Sequence, residues 1–206
     1  MLLKLDSGLK VAISPIFPWE LRREELLKVR SDGAFHPDHV TTRLCLRLLD
    51  DTLKHAACRS LLDVGCGSGI LALAAARLGV PRVVGFDRDI RAVATCLENA
   101  RANGLLGAVH WFAATPDAVK GRFDCVVANL PYTVLRLILP DLPPLLNPGG
   151  HLILSGFHDI QWRPLLEKLI AQGFTLRRQL AGDRSFFGVP PSGSFTWMAV
   201  LLAHER

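Results

Sequence analysis

The sequence predicts an α/β fold, in which a seven-stranded mixed sheet carries helices on both faces and the last two strands pair antiparallel. From residue 60 onward, short apolar runs rich in β-branched residues alternate with longer segments of helical period, as in βαβ units on a parallel sheet. After residue 173, two apolar runs follow each other without a helical segment between them. Such runs must pair as a hairpin or lie at an edge. Together these observations indicate a Rossmann-like arrangement.

Five of the predicted strands are short apolar runs within βα units. They cover residues 60–64, 82–87, 108–113, 123–128 and 151–155. The predicted helices cover residues 70–78, 90–103, 133–146 and 160–172. Asp89 is suited to cap the second helix, because its carboxylate can accept a first-turn amide. We expect the third helix to break near Leu139, because the three prolines at 140, 143 and 144 each remove an amide donor.

The remaining elements are predicted from weaker patterns. Residues 147–150, Asn-Pro-Gly-Gly, predict a helix stop and a turn before the fifth strand. The two closing strands cover residues 174–180 and 194–203, with a Gly/Pro/Ser-rich loop between them. Nearer the N-terminus, residues 19–29 show a partial helical stripe. Residues 40–53 form a better helix candidate, with a start signal at Asp38.

The composition is that of a globular chain, because half of the 206 residues are hydrophobic and 21% are charged, which excludes intrinsic disorder. The five cysteines are odd in number and form no Cys-x-x-Cys pair, which favours a reducing cytosol over a disulfide scaffold or a zinc ribbon. No apolar run reaches the ~18 residues that a membrane-spanning helix needs. We therefore expect a cytoplasmic protein that does not cross a membrane.

A glycine-rich loop follows the first predicted strand and precedes a helix. Its glycines, at 65, 67 and 69, allow the backbone to approach a ligand closely while helix-terminal amides face it. The spacing is G-x-G-x-G, which differs from the G-x-G-x-x-G loop of pyrophosphate-binding dehydrogenases. With Asp63 two residues before the first glycine, the loop resembles motif I of class I S-adenosylmethionine-dependent methyltransferases. A tight turn needed only for packing is the alternative.

An acidic residue, Asp87, ends the second predicted strand 22 residues after Gly65. A carboxylate at this place can accept hydrogen bonds from both hydroxyls of a ribose, as an adenosine-bearing cofactor requires. The alternative is a solvated charge at a strand end.

The fourth predicted strand ends in Asn129-Leu130-Pro131-Tyr132. These residues would lie at the carboxyl edge of the sheet, where open α/β folds bind ligands. Asn129 can donate to and accept from an amine, and Tyr132 could stack on a planar group. A polar strand cap beside a proline turn is the alternative.

Several segments together resemble the ribosomal protein L11 methyltransferase family over roughly residues 30 to 180. They are LLDVGCGSGILALAAARLGV, VVGFDRDIRAVATCLENARANGL, FDCVVANLPYTVL, LLNPGGHLILSGF and the TTRLCL at 41–46. The resemblance implies S-adenosylmethionine as the cofactor and transfer of its methyl group to a nitrogen. Such transfer depends on in-line positioning and exclusion of water, and needs no protein nucleophile.

The resemblance also implies a set of site residues. The positions that match the family's cofactor-binding residues are Thr42, Gly65, Asp87 and Asn129. With their neighbours, the expected cofactor-binding residues are Thr42, Asp63, Gly65, Cys66, Gly67, Gly69, Asp87, Arg88 and Asn129. The expected catalytic residues are Asn129, Pro131 and Tyr132.

The sequence departs from the family pattern in three places. The family has an Ala-Phe-Gly-Thr-Gly-Thr-His-Pro-Thr-Thr signature. Its counterpart in this chain, residues 34–42, is one residue shorter and lacks the glycines. Only about 30 residues precede it, where the family has a substrate-recognition domain, so we expect residues 1–33 to be an extension packed on a methyltransferase domain of residues 34–206. Asn-Leu-Pro-Tyr replaces the family's Asn-Ile-Leu and resembles the motif of adenine-amino and glutamine-amide methyltransferases, which uses the Asn and the Pro carbonyl to hold a planar amine.

The methyl acceptor is therefore predicted only by class. We expect an amino group of a protein or of a small molecule, because no basic stripe with interleaved aromatics is present for nucleic acid. An adenine in RNA or DNA, and a catalytically silent cofactor-binding module, remain alternatives. We expect no metal site, since His36 and His39 lack a further ligand; they could lie in a loop over the cofactor or in an ordinary solvated loop.

Overall fold

A computed structural model describes residues 2–13, 26–30, 37–183 and 196–205. Near the N-terminus, three short strands form one sheet in the order β1, β2, β3, with β2 antiparallel to β1 and parallel to β3. Their bounds are Leu2–Lys4, Lys10–Ile13 and Leu26–Val29.

The other seven strands form one mixed sheet in the order β6-β5-β4-β7-β8-β10-β9. Their bounds are β4 Ser60–Val64, β5 Arg82–Asp87, β6 Val109–Ala113, β7 Phe123–Asn129, β8 Leu146–His158, β9 Phe174–Gly182 and β10 Trp197–His204. Strands β4 to β8 pair in parallel, and β10 pairs antiparallel with both β8 and β9. The predicted fold class is confirmed.

Five α-helices lie in the described ranges. They are α1 Val40–His55, α2 Ile70–Arg77, α3 Ile90–Ala102, α4 Tyr132–Ile138 and α5 Asp159–Ala171. The proline-rich segment after α4 forms two 3₁₀ turns, Leu139–Asp141 and Pro143–Leu145. The helix thus ends where the prolines begin, as predicted. None of the helices in these ranges is long and apolar enough to span a membrane.

The sheet separates two apolar clusters, so its central strands β4 and β7 are buried on both faces. Along β4, Leu61 belongs to the cluster shared with α1 and α2, while the next residue, Leu62, belongs to the cluster shared with α4 and α5. Leu3, Val11 and Leu27 of the small N-terminal sheet also pack in the first cluster. This layering leaves the strand ends as the places where polar groups can meet a ligand.

Three local predictions were wrong. Residues 26–29 form strand β3, not the end of a helix, because they pair with Lys10–Ile13 of β2. The cap of α1 is His39, whose Nδ1 accepts the Thr41 amide at 3.4 Å; the Asp38 carboxylate instead pairs with Arg43 at 2.7 Å. Residues 147–150 belong to β8, whose register with β7 shifts between Phe123 and Cys125.

Candidate functional site

The predicted site residues meet at one edge of the large sheet. Strands β5, β4 and β7 are neighbours and run in parallel, so their carboxyl ends lie side by side. The glycine loop of residues 65–69 follows β4, Asp87 ends β5, and Asn129 ends β7. This edge is where open α/β sheets bind ligands.

All three loop glycines adopt positive φ, at +69° for Gly65, +54° for Gly67 and +79° for Gly69. A Cβ at Gly65 would collide with the Leu130 side chain, and a Cβ at Gly69 would lie 2.8 Å from Trp111. Gly67 differs, because a Cβ there would meet nothing within 4 Å. The first and last glycines are therefore needed for packing, whereas Gly67 faces open space that a ligand could enter.

Hydrogen bonds join the loop to the end of β5. The amides of Gly65 and Cys66 both donate to the Phe86 carbonyl oxygen at 2.9 Å. The Gly67 amide donates to Asp87 Oδ2 at 3.1 Å. Gly67 and Asp87 are therefore joined by a direct hydrogen bond, although the sequence pattern predicted each of them separately.

Asp87 is half-buried and retains hydrogen-bonding capacity. Its Oδ1 accepts the Asp89 amide at 3.0 Å, in addition to the bond from Gly67. A carboxylate offers about four acceptor sites, so about two remain for a ligand. Asp89 caps α3 as predicted, accepting the Arg91 amide at 2.9 Å, and its hydrogen bonds with Arg91 lower the pKa of Asp89 to about 2. Arg88 is exposed between the two acids.

The side chains of Asp63 and Cys66 lie beneath the loop. Asp63 is only 2% exposed and accepts the Ala72 amide from α2 at 3.1 Å. Burial, with a further contribution from the negative charge of Asp87, raises the pKa of Asp63 to about 7. The Cys66 Sγ lies 3.5 Å from the Cys96 Sγ, and this contact together with burial raises the pKa of the Cys66 thiol. Both side chains support the loop from the protein side.

Asn129 and Thr42 come together although they lie 87 residues apart. The Asn129 Nδ2 donates to Thr42 Oγ1 at 3.3 Å. The Asn129 Oδ1 is buried and has no hydrogen-bond partner among the described residues. A buried acceptor without a partner is costly, so this oxygen is suited to a donor from a ligand.

The backbone of the Asn-Leu-Pro-Tyr turn is held by β8 and α4. The Leu130 amide donates to the Ser155 carbonyl oxygen at 3.1 Å. Gly156, at φ +97°, passes so close to Leu130 that a Cβ would collide with the Leu130 main chain. The Pro131 carbonyl oxygen accepts the amides of Val134 and Leu135, both at 2.9 Å, in the first turn of α4. Tyr132 begins that helix and packs against the second cluster.

These contacts bear on the role expected for Pro131. A carbonyl oxygen has two lone pairs, and the Pro131 carbonyl already serves two amides. In the adenine-type interpretation, this carbonyl oxygen must accept a hydrogen bond from the planar amine of the base. Because both of its lone pairs already accept amides of α4, the turn lacks the free acceptor that this interpretation requires.

An aromatic group that sequence reasoning missed lies at the same edge. His39 is 8% exposed, and its ring meets Trp197 edge-on at 4.7 Å between centroids. The Trp197 ring also lies 3.8 Å from that of His158. Trp197 begins β10, so predicting this group needs the strand order, which places β10 beside β8. At His39 the solvated-loop alternative is wrong, because the ring is buried.

Two further predictions can be stated only for part of the chain. Within the described ranges, no group of three or more His, Cys, Asp or Glu residues could hold a metal ion. His36 lies outside those ranges, as does most of the Gly/Pro/Ser-rich loop before β10.

Comparisons with known proteins identify relatives of this chain. The model of the ribosomal protein L11 methyltransferase (PrmA) family matches residues 23–183. The ribosomal protein L11 methyltransferase of Sorangium cellulosum is 38% identical over 94% of this chain and 65% of its own length. That of Clostridium perfringens strain SM101 is 36% identical over 82% of this chain and 55% of its own. The chain thus spans less than two thirds of these relatives.

Solved structures share the fold. A crystal structure of ribosomal protein L11 methylase from Lactobacillus delbrueckii subsp. bulgaricus superposes with a TM-score of 0.75 at 25% identity, over 96% of this chain and 94% of that chain. The O-methyltransferase of Bacillus cereus in complex with SAH shares the fold, with a TM-score of 0.61 at 15% identity over 80% of this chain and 82% of that chain. Because the family model matches most of its length, this chain belongs to the ribosomal protein L11 methyltransferase family.

Proposed function

We propose that the chain is an S-adenosylmethionine-dependent N-methyltransferase whose acceptor is an amino group. The observation that carries the proposal is the buried, unpartnered Oδ1 of Asn129, at the sheet edge that also bears the glycine loop and Asp87. An amine can donate an N–H to this oxygen and still keep its lone pair for attack.

The residues at this edge fit the cofactor. Gly67 leaves open space for it, and Asp87 keeps acceptor sites that suit the two ribose hydroxyls. When bound there, S-adenosylmethionine would supply an electrophilic methyl group on its sulfonium. We retain the full predicted set as cofactor-binding residues, with Asp63 and Cys66 acting by shaping the loop. The set is Thr42, Asp63, Gly65, Cys66, Gly67, Gly69, Asp87, Arg88 and Asn129.

The chemistry asked of the protein is positioning. Because Thr42 engages Nδ2, the Asn129 amide is held with Oδ1 as its available acceptor. An asparagine amide cannot act as a base, so the acceptor amine must already be neutral when it attacks the methyl group. The methylated nitrogen then loses its proton to solvent. Tyr132, at the start of α4, would form part of the wall beside the acceptor.

For the acceptor we propose an amino group of a protein, with a small molecule as the second class. The relatives are named for ribosomal protein L11, which makes that protein the first to test and supports our proposal that the chain acts in the cytoplasm. The use of the Pro131 carbonyl by α4 disfavours the adenine-type alternative. We keep residues 34–206 as the methyltransferase domain and residues 1–33 as the extension packed on it, as the shared apolar cluster suggests.

Two measurements test the proposal. Isothermal titration should show binding of S-adenosylmethionine and of S-adenosylhomocysteine, and no binding of either at millimolar concentration would end it. Radiolabelled cofactor should then be incubated with purified L11 and, separately, with host-cell lysate divided into protein, nucleic-acid and small-molecule fractions. Label in nuclease-sensitive material would support the adenine alternative, and cofactor binding without transfer to any fraction would support a silent binding module.

A further inference from the structure

Asn99 joins two segments of the chain that lie far apart in sequence. It lies on α3 with 2% of its surface exposed. Its Nδ2 donates to the Ser68 carbonyl oxygen at 2.8 Å and to the Arg30 carbonyl oxygen at 2.9 Å. Its Oδ1 accepts the Arg30 amide at 3.0 Å. One buried amide therefore connects the residue that follows β3 to the glycine loop.

The same helix holds the loop at a second point. Cys96, one turn earlier on α3, donates its thiol to the Gly67 carbonyl oxygen at 3.3 Å. Because a trans peptide group is planar, a carbonyl that points toward α3 directs the amide of the same peptide group away from it. Cys96 and Asn99 thus orient the two peptide groups between Gly67 and Gly69.

Asn103 makes the matching contacts with β3 but does not contact the loop. Its Nδ2 donates to the Lys28 carbonyl oxygen at 2.6 Å, and its Oδ1 accepts the Lys28 amide at 2.7 Å. The second Nδ2 bond goes to the Asn99 carbonyl oxygen at 2.7 Å. Residues four apart share a helix face, and alternate residues of a strand share an edge. The two asparagines therefore occupy the edge of β3 as a neighbouring strand would.

We propose that Asn99 is a positioning residue that couples the N-terminal strand β3 to the glycine loop and so sets the affinity for S-adenosylmethionine. The inference rests on the proposed function, because it concerns the same cofactor site. Without the Asn99 side chain, the Ser68 carbonyl loses its buried donor, and the loop must be ordered when the cofactor binds. By linkage, bound cofactor should in turn tighten the contact with β3.

The test compares Asn99→Ala with Asn103→Ala in the full 206-residue chain. Asn99→Ala loses a pair of bonds to Arg30, directly after β3, and Asn103→Ala loses a pair to Lys28 of β3. Both variants should therefore unfold at a lower temperature than the wild type. Asn99→Ala should also raise the dissociation constants of S-adenosylmethionine and S-adenosylhomocysteine about tenfold, equivalent to about 1.4 kcal/mol. Asn103→Ala should leave both constants within about twofold. In turnover assays, Asn99→Ala should raise the KM for the cofactor far more than it lowers kcat.

The outcomes separate this inference from the proposed function. If the wild type binds neither ligand, the proposed function fails. If the wild type binds and the two variants have equal dissociation constants, the proposed function stands and the coupling through Asn99 is wrong.

Hydrogen exchange in the unaltered chain provides a test that does not depend on a variant folding. Saturation with S-adenosylhomocysteine should slow exchange of the Arg30 amide, which bonds Asn99. The Ser7 amide, which bonds Asp50 of α1 at 3.2 Å, serves as the reference and should be unchanged. Unchanged exchange at Arg30, or equal slowing at Arg30 and Ser7, would overturn the inference.

Discussion

The side-chain amide of Asn129 donates to the hydroxyl oxygen of Thr42, and this 3.3 Å bond joins the end of β7 to the first turn of α1. The bond leaves Oδ1 as the amide atom available to a ligand, although that oxygen is buried. The pair thus gives Asn129 a defined orientation before any acceptor arrives, which lowers the cost of ordering it during the reaction.

Asn129→Ala should lower kcat on the order of 10²-fold, because the acceptor would lose the group that holds it in line. Cofactor affinity, measured by titration calorimetry, should fall by much less than kcat, because we place Asn129 mainly against the acceptor. Asn147→Ala is the control, since Asn147 bonds Asp124 at 2.7 Å and lies at the start of β8, away from the site. An equal loss of cofactor binding in Asn129→Ala would assign this residue to the cofactor and not to the acceptor.

Asp87→Ala should weaken binding of S-adenosylmethionine by about 1.5 to 3 kcal/mol, the range typical of hydrogen bonds to a charged group. Asp89→Ala is the matched control two residues away. It removes the cap of α3 and should lower the unfolding temperature slightly, without a loss of cofactor affinity. If the two variants exchanged these phenotypes, the ribose-binding acid would be Asp89.

Gly67→Ala should fold but bind the cofactor poorly, because its Cβ would enter the open space where we place the ligand. Gly79→Ala provides the comparison, since Gly79 also has positive φ and a Cβ there would meet nothing within 4 Å. Each substitution should cost about 1 kcal/mol in backbone strain, seen as similar losses in thermal unfolding. Similar cofactor affinities in the two variants would mean that no ligand approaches Gly67.

Asp63→Asn should make stability less dependent on pH. The pKa of Asp63 is raised from its ordinary value of 3.8 to about 7, so between these values the folded chain holds a proton that the unfolded chain has lost. The free energy of unfolding of the wild type should therefore fall as pH rises through this window, by at most about 1.4 kcal/mol per pH unit, and level off above it. The amide oxygen of the variant can still accept the Ala72 amide. Urea unfolding at about pH 5 and about pH 8 should show that the free energy of unfolding falls less in the variant than in the wild type. An equal fall in both proteins would show that Asp63 is not the titrating group.

Gly156→Ala should displace the Asn-Leu-Pro-Tyr turn, because a Cβ there would overlap the Leu130 main chain. We expect a loss of activity with a large drop in the unfolding temperature. Gly149→Ala has positive φ at +73° but no atom within 4 Å of the added Cβ, so it should cost backbone strain alone. Full activity in Gly156→Ala would show that the turn can move without harm to the site.

The parts of the fold that the sequence predicts well are those set by local signals. Strands β4 and β5 match the predicted bounds, because each is an apolar run bounded by polar or glycine-rich residues. Asp89 caps α3 as expected, since capping depends on neighbouring residues only. At the site, the glycine loop, Asp87 and Asn129 lie at one edge of the sheet because their strands run in parallel, as the alternating pattern already indicates.

The parts that the sequence did not predict depend on distant partners. Leu26, Leu27 and Val29 fit a helical stripe, but they form a strand because β2, which starts 16 residues earlier, pairs with them. Asn99 lies within a well-predicted helix, yet its role depends on Arg30 and Ser68, which no local pattern connects to it. The contact between Trp197 and His39 likewise requires the position of β10 in the sheet.

The position of β10 between β8 and β9 also has a consequence for the order of folding. Strands β6, β5, β4, β7 and β8 can assemble as soon as residue 158 is available, but the outer edge of β8 then has no partner among the described strands. Only when Trp197–His204 has been synthesised can β10 cover that edge and join β9 to the sheet. During synthesis the nascent chain therefore presents an open, strongly apolar strand to its surroundings, which is the kind of surface that chaperones protect from aggregation.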